Sequence, residues 1–135
     1  MASLENSRQL IREGVVSCVY PERHSARVCF SDKDNLISAE LPVLQSCAFG
    51  NKSYCLPDIG SGVVCLMATN GDDGTGWILG SRYHEKSTPA VNSQDKTRMD
   101  FSDGTFIEYD RQSHELNINC VGDIKINGKR IFLNE

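Results

Sequence analysis

The stretch FSDGTFIEYDRQSHELNINCVGDIKINGKRIF, from Phe101 to Phe132, decides how the second half of this chain can fold. Apolar and polar residues alternate along it, and a period of two is typical of strands with one dry face and one wet face. Short polar or glycine-containing breaks separate the alternating runs, and their composition favours tight turns. The pattern predicts four short strands joined by turns. The glycines expected in these turns are Gly104, Gly122 and Gly128, and Gly104 and Gly128 are expected to need positive φ.

The apolar face of this segment, taken as residues 96–135, needs something to bury it. About 40 residues are too few to close a stable core alone, and a lone set of strands leaves its edges open to association. The segment can pack on the rest of the chain, or several copies can share one interior. A polar stretch before it favours the second arrangement. The residues predicted to form the shared interior are Met99, Phe101, Ile107, Tyr109, Leu116, Ile118, Cys120, Ile124, Ile126, Ile131 and Leu133.

Residues 11–84 show a second β-rich pattern with little helical periodicity. The predicted strands are Gly14–Val19, Ala26–Phe30, Leu36–Leu41, Gly62–Met67 and Trp77–Leu79, with a turn over Thr69–Gly76. Five strands in this length fit a small barrel of the OB type, although other five-stranded barrels fit nearly as well. Residues 46–58 are expected to be a long loop or a short helix, and Trp77 is expected in the core. The predicted fold is therefore all-β.

The remaining segments complete the predicted domain organisation. Residues 85–95 are polar and lack an apolar pattern, which is typical of a linker. Residues 1–10 are expected to be a short helix or a loose arm. The sequence thus predicts an arm, a barrel over 11–84, a linker and a C-terminal β segment over 96–135.

Composition and charge disfavour several functional classes. The 135 residues carry a net charge of −4, whereas nucleic-acid binders usually present a basic patch. No apolar run is long enough to span a bilayer. The N-terminal residues carry charges of both signs and lack the apolar core of a signal peptide, so we expect synthesis and retention in a cytoplasm.

No residue pattern predicts catalysis, a metal or another cofactor. The six cysteines form no Cys-x-x-Cys pair, and several lie in apolar runs, so we expect them to be small buried side chains. His24, His84 and His114 lie far apart in polar loops and are expected to be solvent-exposed. There is no Gly-x-Ser-x-Gly motif and no distinctive carboxylate pair. We therefore expect a protein that is not an enzyme.

The order of these parts resembles the phage baseplate assembly protein V family, the central spikes of contractile tails, which are related to the spike part of VgrG proteins. The resemblance covers roughly residues 11–133 and rests on the order of several short motifs. These are Leu41-Pro-Val-Leu44, Leu56-Pro-Asp-Ile-Gly60 with Gly62-Val-Val64, Gly76-Trp-Ile-Leu-Gly-Ser-Arg-Tyr83, Asp103-Gly-Thr-Phe-Ile-Glu-Tyr-Asp110, Leu116-Asn-Ile118 and Gly122-Asp-Ile-Lys-Ile126.

The resemblance implies a homotrimer whose OB-fold domains form a collar and whose C-terminal segments intertwine into a β-helical needle. It implies a baseplate hub protein as the partner of the collar, mechanical contact of the needle with the target membrane, and assembly in a bacterial cytoplasm into a virion tail or tail-like particle. The C-terminus lacks the His-x-His iron site found at the tip of some family members. The corresponding hypothesis is that a separate tip protein of the PAAR type caps the needle.

A second interpretation belongs to a different functional class. The chain can also be a monomeric OB-type binding module for single-stranded nucleic acid or an oligosaccharide. That interpretation predicts a basic groove with exposed aromatic side chains. The acidic balance and the 7% aromatic content disfavour it.

Overall fold

The structure, a computed structural model, describes residues 10–31, 34–68 and 75–134. Almost all of its regular elements are strands, arranged mainly in two antiparallel sheets, so the all-β prediction is confirmed. The chain divides into two compact units with the boundary between Thr88 and Pro89. Most of the predicted N-terminal arm and of the turn over Thr69–Gly76 lies outside the described residues.

The N-terminal unit contains eight strands and one turn of 3-10 helix among its described residues. The strands are β1 (Ile11–Tyr20), β2 (Ser25–Phe30), β3 (Leu36–Ile37), β4 (Leu41–Pro42), β5 (Ala48–Phe49), β6 (Asn51–Lys52), β7 (Gly62–Met67) and β8 (Gly76–Ser81). The 3-10 turn, Pro21–Arg23, joins β1 to β2 and ends at His24, whose φ is 53°.

The main sheet of this unit has the strand order β3-β2-β1-β7-β8, and β4 also pairs with β2. Every one of these strand pairs is antiparallel. Beyond β4, Val43 makes a parallel bridge to Ile78 on β8, and the Leu44 amide donates to the Ile78 carbonyl at 3.0 Å. The two ends of the sheet are thereby connected through the segment that follows β4.

The core of the N-terminal unit lies between these strands. Alternate residues of β2, β7 and β8 point inward, as the period of two requires. The buried apolar residues are Val16, Ala26, Val28, Phe30, Leu41, Val63, Cys65, Met67 and Ile78. Burial raises the pKa of the Cys65 thiol to about 11. The expectation of buried cysteines is right for Cys65 and wrong for Cys47 and Cys55, which are exposed free thiols.

The predicted third strand, Leu36–Leu41, is interrupted in the structure. Its ends form β3 and β4, but Ser38 between them lies outside both strands. The Ser38 hydroxyl accepts a hydrogen bond from the Val28 amide at 2.9 Å, and the Ser38 amide donates to the Val28 carbonyl at 2.8 Å. A side-chain oxygen thus replaces a backbone carbonyl in the ladder, which ends the regular pairing.

Two further expectations for this unit are corrected. Residues 46–58 contain a small hairpin, β5 and β6, with Gly50 at φ 73° in its turn, and no helix. Trp77 is partly exposed, and its neighbour Ile78 occupies the core instead. The register explains the exchange, because Cys65 of β7 lies opposite Ile78 and places it on the inward face.

The C-terminal unit is a three-stranded antiparallel sheet with the order β11-β10-β9. Its strands are β9 (Lys96–Asp100), β10 (Phe106–Asp110) and β11 (Glu115–Asn119). Gly104 has a φ of 97° in the turn between β9 and β10, as predicted. Gly122 and Gly128 do not have positive φ, so the expectation for Gly128 is wrong.

Two of the four strands predicted between Phe101 and Phe132 do not form in the single chain. Phe101 itself follows the end of β9, and the described residues from Cys120 to Asn134 contain no strand. This part of the chain carries Ile124, Ile126 and the residues up to Leu133. A strand requires a hydrogen-bonded neighbour, and none of the described segments pairs with these residues.

Candidate self-association surface

Successive side chains of the C-terminal sheet point to its two faces, and most of the large apolar ones share one face. Met99, Ile107 and Ile118 form one cross-strand row, because Ile107 lies opposite both of the others. Tyr109 forms the next row on the same face, between Thr97 and Leu116. We call Met99, Ile107, Tyr109, Leu116 and Ile118 the apolar face.

The apolar face is open in the single chain. Its five side chains are between 41% and 63% exposed. A shallow hollow of about 300 Å³ lies on this face and is lined mostly by Met99, Ile107, Tyr109 and Leu116. Contiguous exposed apolar side chains of this kind mark an interaction surface more often than isolated ones do.

The opposite face holds the only buried side chain among residues 89–134, the carboxylate of Glu108, which is 7% exposed. Arg98 Nη1 donates to Glu108 Oε1 at 2.9 Å, and Lys96 Nζ lies 3.7 Å from the same oxygen. The Arg98 guanidinium carbon is 3.8 Å from the ring centroid of Phe106. In an antiparallel sheet that is stable alone, the apolar face is buried and the polar face is exposed to solvent. In this sheet the apolar face is exposed, and the polar face holds the buried carboxylate.

Two hydrogen bonds hold the Arg98 guanidinium in position over β10. Its bond to Glu108 is the main reason that its pKa is raised, and the bond from Nε to Asp100 Oδ1 at 2.9 Å is the next. The polar face is thus braced by ion pairs within one chain and requires no partner.

The segment from Cys120 to Asn134 continues the exposed apolar character. Its large apolar side chains are between 52% and 80% exposed, and they are Val121, Ile124, Ile126, Ile131, Phe132 and Leu133. The Cys120 thiol is partly buried, and its sulfur lies 3.6 Å from the carbonyl oxygen of Asp123. Val121 and Phe132 were not among the predicted interior residues, although they are apolar and lie next to residues that were.

The structure brings only some of the predicted interior residues together. Five of them form the apolar face, and Phe101 lies at the adjacent turn, where its amide donates to the Thr105 carbonyl at 2.8 Å. Cys120, Ile124, Ile126, Ile131 and Leu133 follow β11 without joining its sheet. Both edges of the sheet, β9 and β11, lack a further described strand, so their backbone groups are available for pairing.

Metal-binding side chains, membrane spans and histidine exposure can be checked on the described residues. They contain no cluster of three or more His, Cys, Asp or Glu side chains that could hold a metal ion. None of their helices is long and apolar enough to cross a membrane. The expectation of exposed histidines holds for His114, whereas His24 and His84 are half-buried and their Nε2 atoms are shielded from solvent.

Comparison with known proteins adds no identification. No protein-family model matches the sequence, and no curated protein matches it significantly. The spike family therefore remains a resemblance based on the motifs quoted above.

Proposed function

We propose that this protein is the central spike of a phage tail or of a phage-tail-like contractile injection particle. Three copies would associate through the apolar face and the segment from Cys120 to Asn134, forming an intertwined β-helix. The observation that carries the proposal is the exposure pattern of the C-terminal unit. Its apolar face is exposed to solvent, whereas the carboxylate on its polar face is buried and paired with Arg98. The number of copies comes from the resemblance to the baseplate assembly protein V family.

The N-terminal unit fits the collar of such a spike. Its strands connect in the cyclic order β1, β2, β4, β8 and β7, with a parallel contact between the segment after β4 and β8. This order supports a small closed barrel of the OB type. In the proposal, the three barrels sit on a baseplate hub protein, and the C-terminal end accepts a PAAR-type tip protein.

The proposed mechanism is mechanical. Shared strand pairing and a dry interior would make the needle stiff enough to cross a target envelope when the sheath contracts. Membrane contact would be purely mechanical, and no covalent bond would be made or broken. The protein would be assembled in a bacterial cytoplasm and would function in the baseplate.

Light scattering on the full chain and on residues 1–90 tests this proposal. We expect a full-chain mass of about 45 kDa, three times the 15.0 kDa of one chain, and a monomeric fragment. The fragment retains all nine buried apolar core residues, so it is expected to fold. A full chain that scatters as a 15.0 kDa monomer at all concentrations would contradict the spike.

One observation favours the alternative binding module. Ile11, Leu66 and Trp77 form an exposed row across β1, β7 and β8, because Leu66 lies opposite both of the others. A partly exposed indole can stack on a base or a sugar ring. Titrating Trp77 fluorescence with oligothymidylate and with a linear oligosaccharide tests this function, and saturable quenching by a monomeric chain would support it over the spike.

A further inference from the structure

The dipeptide Asn127-Gly128 does not form the tight turn that its sequence predicts. Gly128 does not have positive φ, and no strand flanks the pair among the described residues that follow β11. Both residues are exposed. Neither the Gly128 backbone N–H nor the Asn127 side-chain amide has a hydrogen-bond partner among the residues that the structure describes. These two neighbouring groups are therefore free to react with each other.

An asparagine followed by glycine can rearrange without an enzyme, a cofactor or an oxidant, which is one reason that asparagine is heat-labile in proteins. The glycine nitrogen attacks the asparagine Cγ, so that a new C–N bond forms and the bond from Cγ to Nδ2 breaks. The attacking nitrogen gives up its proton and ammonia leaves, which produces a cyclic imide. Water then opens the ring at either carbonyl and yields aspartate or isoaspartate. Glycine favours the attack because it has no Cβ to hinder it.

Asn127 differs from the other asparagines of the described residues in two respects. None of the others is followed by glycine. Asn117 and Asn119 are in addition held within β11, where they pair with Glu108 and Phe106 of β10. Ring closure requires rotation of the backbone at the asparagine, and strand pairing prevents that rotation. No described strand holds Asn127, so this restraint does not act on it in the single chain.

We propose that Asn127 is a site of spontaneous conversion to isoaspartate in the unassembled chain, and that association protects it. The site itself follows from the single chain. The protection rests on the proposed function, in which the segment from Cys120 to Asn134 pairs with other copies. Such pairing would fix the backbone on both sides of Asn127, so that the Gly128 nitrogen no longer reaches the asparagine Cγ.

Conversion would also remove a chain from assembly. The main chain of an isoaspartate runs through Cγ, so it is one carbon atom longer than that of asparagine, and the residue carries a new negative charge. The exposed apolar residues Ile131, Phe132 and Leu133 follow this position. A longer main chain would displace them from the alternating spacing that decides which face of a strand each residue occupies. An unassembled chain therefore stays competent to associate for a limited time.

Warm incubation of the full chain at neutral pH, followed by peptide mapping, tests the site. Cleavage after glutamate releases residues 116–135 as one peptide, separate from the Asn-Gly pair at Asn70, which lies outside the described residues. In Ile118→Asp, which supplies the single chain, we expect isoaspartate at Asn127 to form at least tenfold faster than at Asn117. Adding Gly128→Ala should slow the reaction at least tenfold. The new Cβ would lie 3.4 Å from the Arg130 carbonyl oxygen, which is an ordinary contact.

The associated wild type should convert at least tenfold more slowly than Ile118→Asp, and aged chains that carry isoaspartate should be absent from the associated fraction in gel filtration. No isoaspartate at Asn127 in the single chain, or an equal rate after Gly128→Ala, would overturn the site. An associated wild type that converts as fast as Ile118→Asp would overturn the protection. Failure of the spike looks different, because a wild type that scatters as one chain would convert at the rate of Ile118→Asp, which supports the site and overturns its protection.

Discussion

Arg98 Nη1 lies 2.9 Å from Glu108 Oε1, and this ion pair covers the only buried side chain among residues 89–134. On the reverse of the same strand, Ile107 and Tyr109 are each 41% exposed. In a sheet that is stable without a partner, Ile107 would be expected to be buried and the carboxylate of Glu108 exposed. The arrangement is understandable when a second surface covers the apolar side, and the first prediction tests that surface.

Ile118→Asp should abolish association of the full chain. The residue is 54% exposed in the single chain, so an aspartate there should leave the monomer folded, whereas a shared interior would enclose several unpaired carboxylates. The mass from light scattering should fall to that of one chain, with an unchanged melting transition for the N-terminal unit. Asn119→Asp, on the polar face of β11, is the matched control and should still associate. Association of both variants would mean that the apolar face points outward.

Ile78→Ala should destabilise the N-terminal unit by about 2–5 kcal/mol, because it opens a cavity in the core. Urea unfolding of the fragment 1–90 measures the change in the free energy of unfolding. Leu79→Ala is the control on the exposed side of β8 and should change this energy by less than about 0.5 kcal/mol. Equal losses in the two variants would contradict the inward position of Ile78.

Gly14→Ala should destabilise the same unit by about 1–3 kcal/mol through overcrowding. A Cβ atom at this position would lie 2.5 Å from Val28 Cγ1 and 2.6 Å from the carbonyl oxygen of Cys29, and that oxygen belongs to the paired strand β2. Gly80→Ala is the control, since a Cβ atom there meets nothing within 4 Å. Thermal melts of the two variants should separate clearly, and a Gly14→Ala variant as stable as Gly80→Ala would show that β1 and β2 are less closely packed.

Glu40→Gln should reduce stability in a pH-dependent manner. Hydrogen bonds from Arg23 first, and then from Ser25, lower the pKa of Glu40 from 4.5 to about 2. Because the pKa of the folded state is below that of the unfolded state, the stabilisation is complete above about pH 4.5 and is lost as the pH falls toward 2.

Melting temperatures measured from pH 7 to pH 2 check this expectation. The wild type should melt above Glu40→Gln at neutral pH, and the two curves should converge in acid. Glu85→Gln, an exposed position without a described ion pair, is the control and should follow the wild type. A difference between wild type and Glu40→Gln that stays constant down to pH 2 would argue against the ion pair with Arg23.

The sequence predicted the elements whose pattern is local. Alternation along Ile107–Tyr109 and Leu116–Ile118 identified β10, β11 and the face that each residue occupies. The hairpin of β5 and β6 escaped prediction because strands of two residues are too short to show a period. Ile78, and not Trp77, points into the core because of the register between β8 and β7. The sequence of β8 alone does not determine this register.

The self-association surface was also predicted only where its pattern is local in the sequence. The composition of the apolar face followed from alternation, but the failure of Ile124–Ile126 to form a strand depends on a neighbour that one chain does not supply.

The segment from Cys120 to Asn134 forms no strand in the single chain, and this affects how the melting of the C-terminal unit depends on protein concentration. If its strands form only between copies, the C-terminal unit obeys mass action, and diluting the protein lowers the temperature at which this unit melts. The N-terminal unit, which encloses its own core, melts independently of concentration. Calorimetry on a dilution series would then show one fixed transition and one that moves, so that no single melting temperature describes the whole protein.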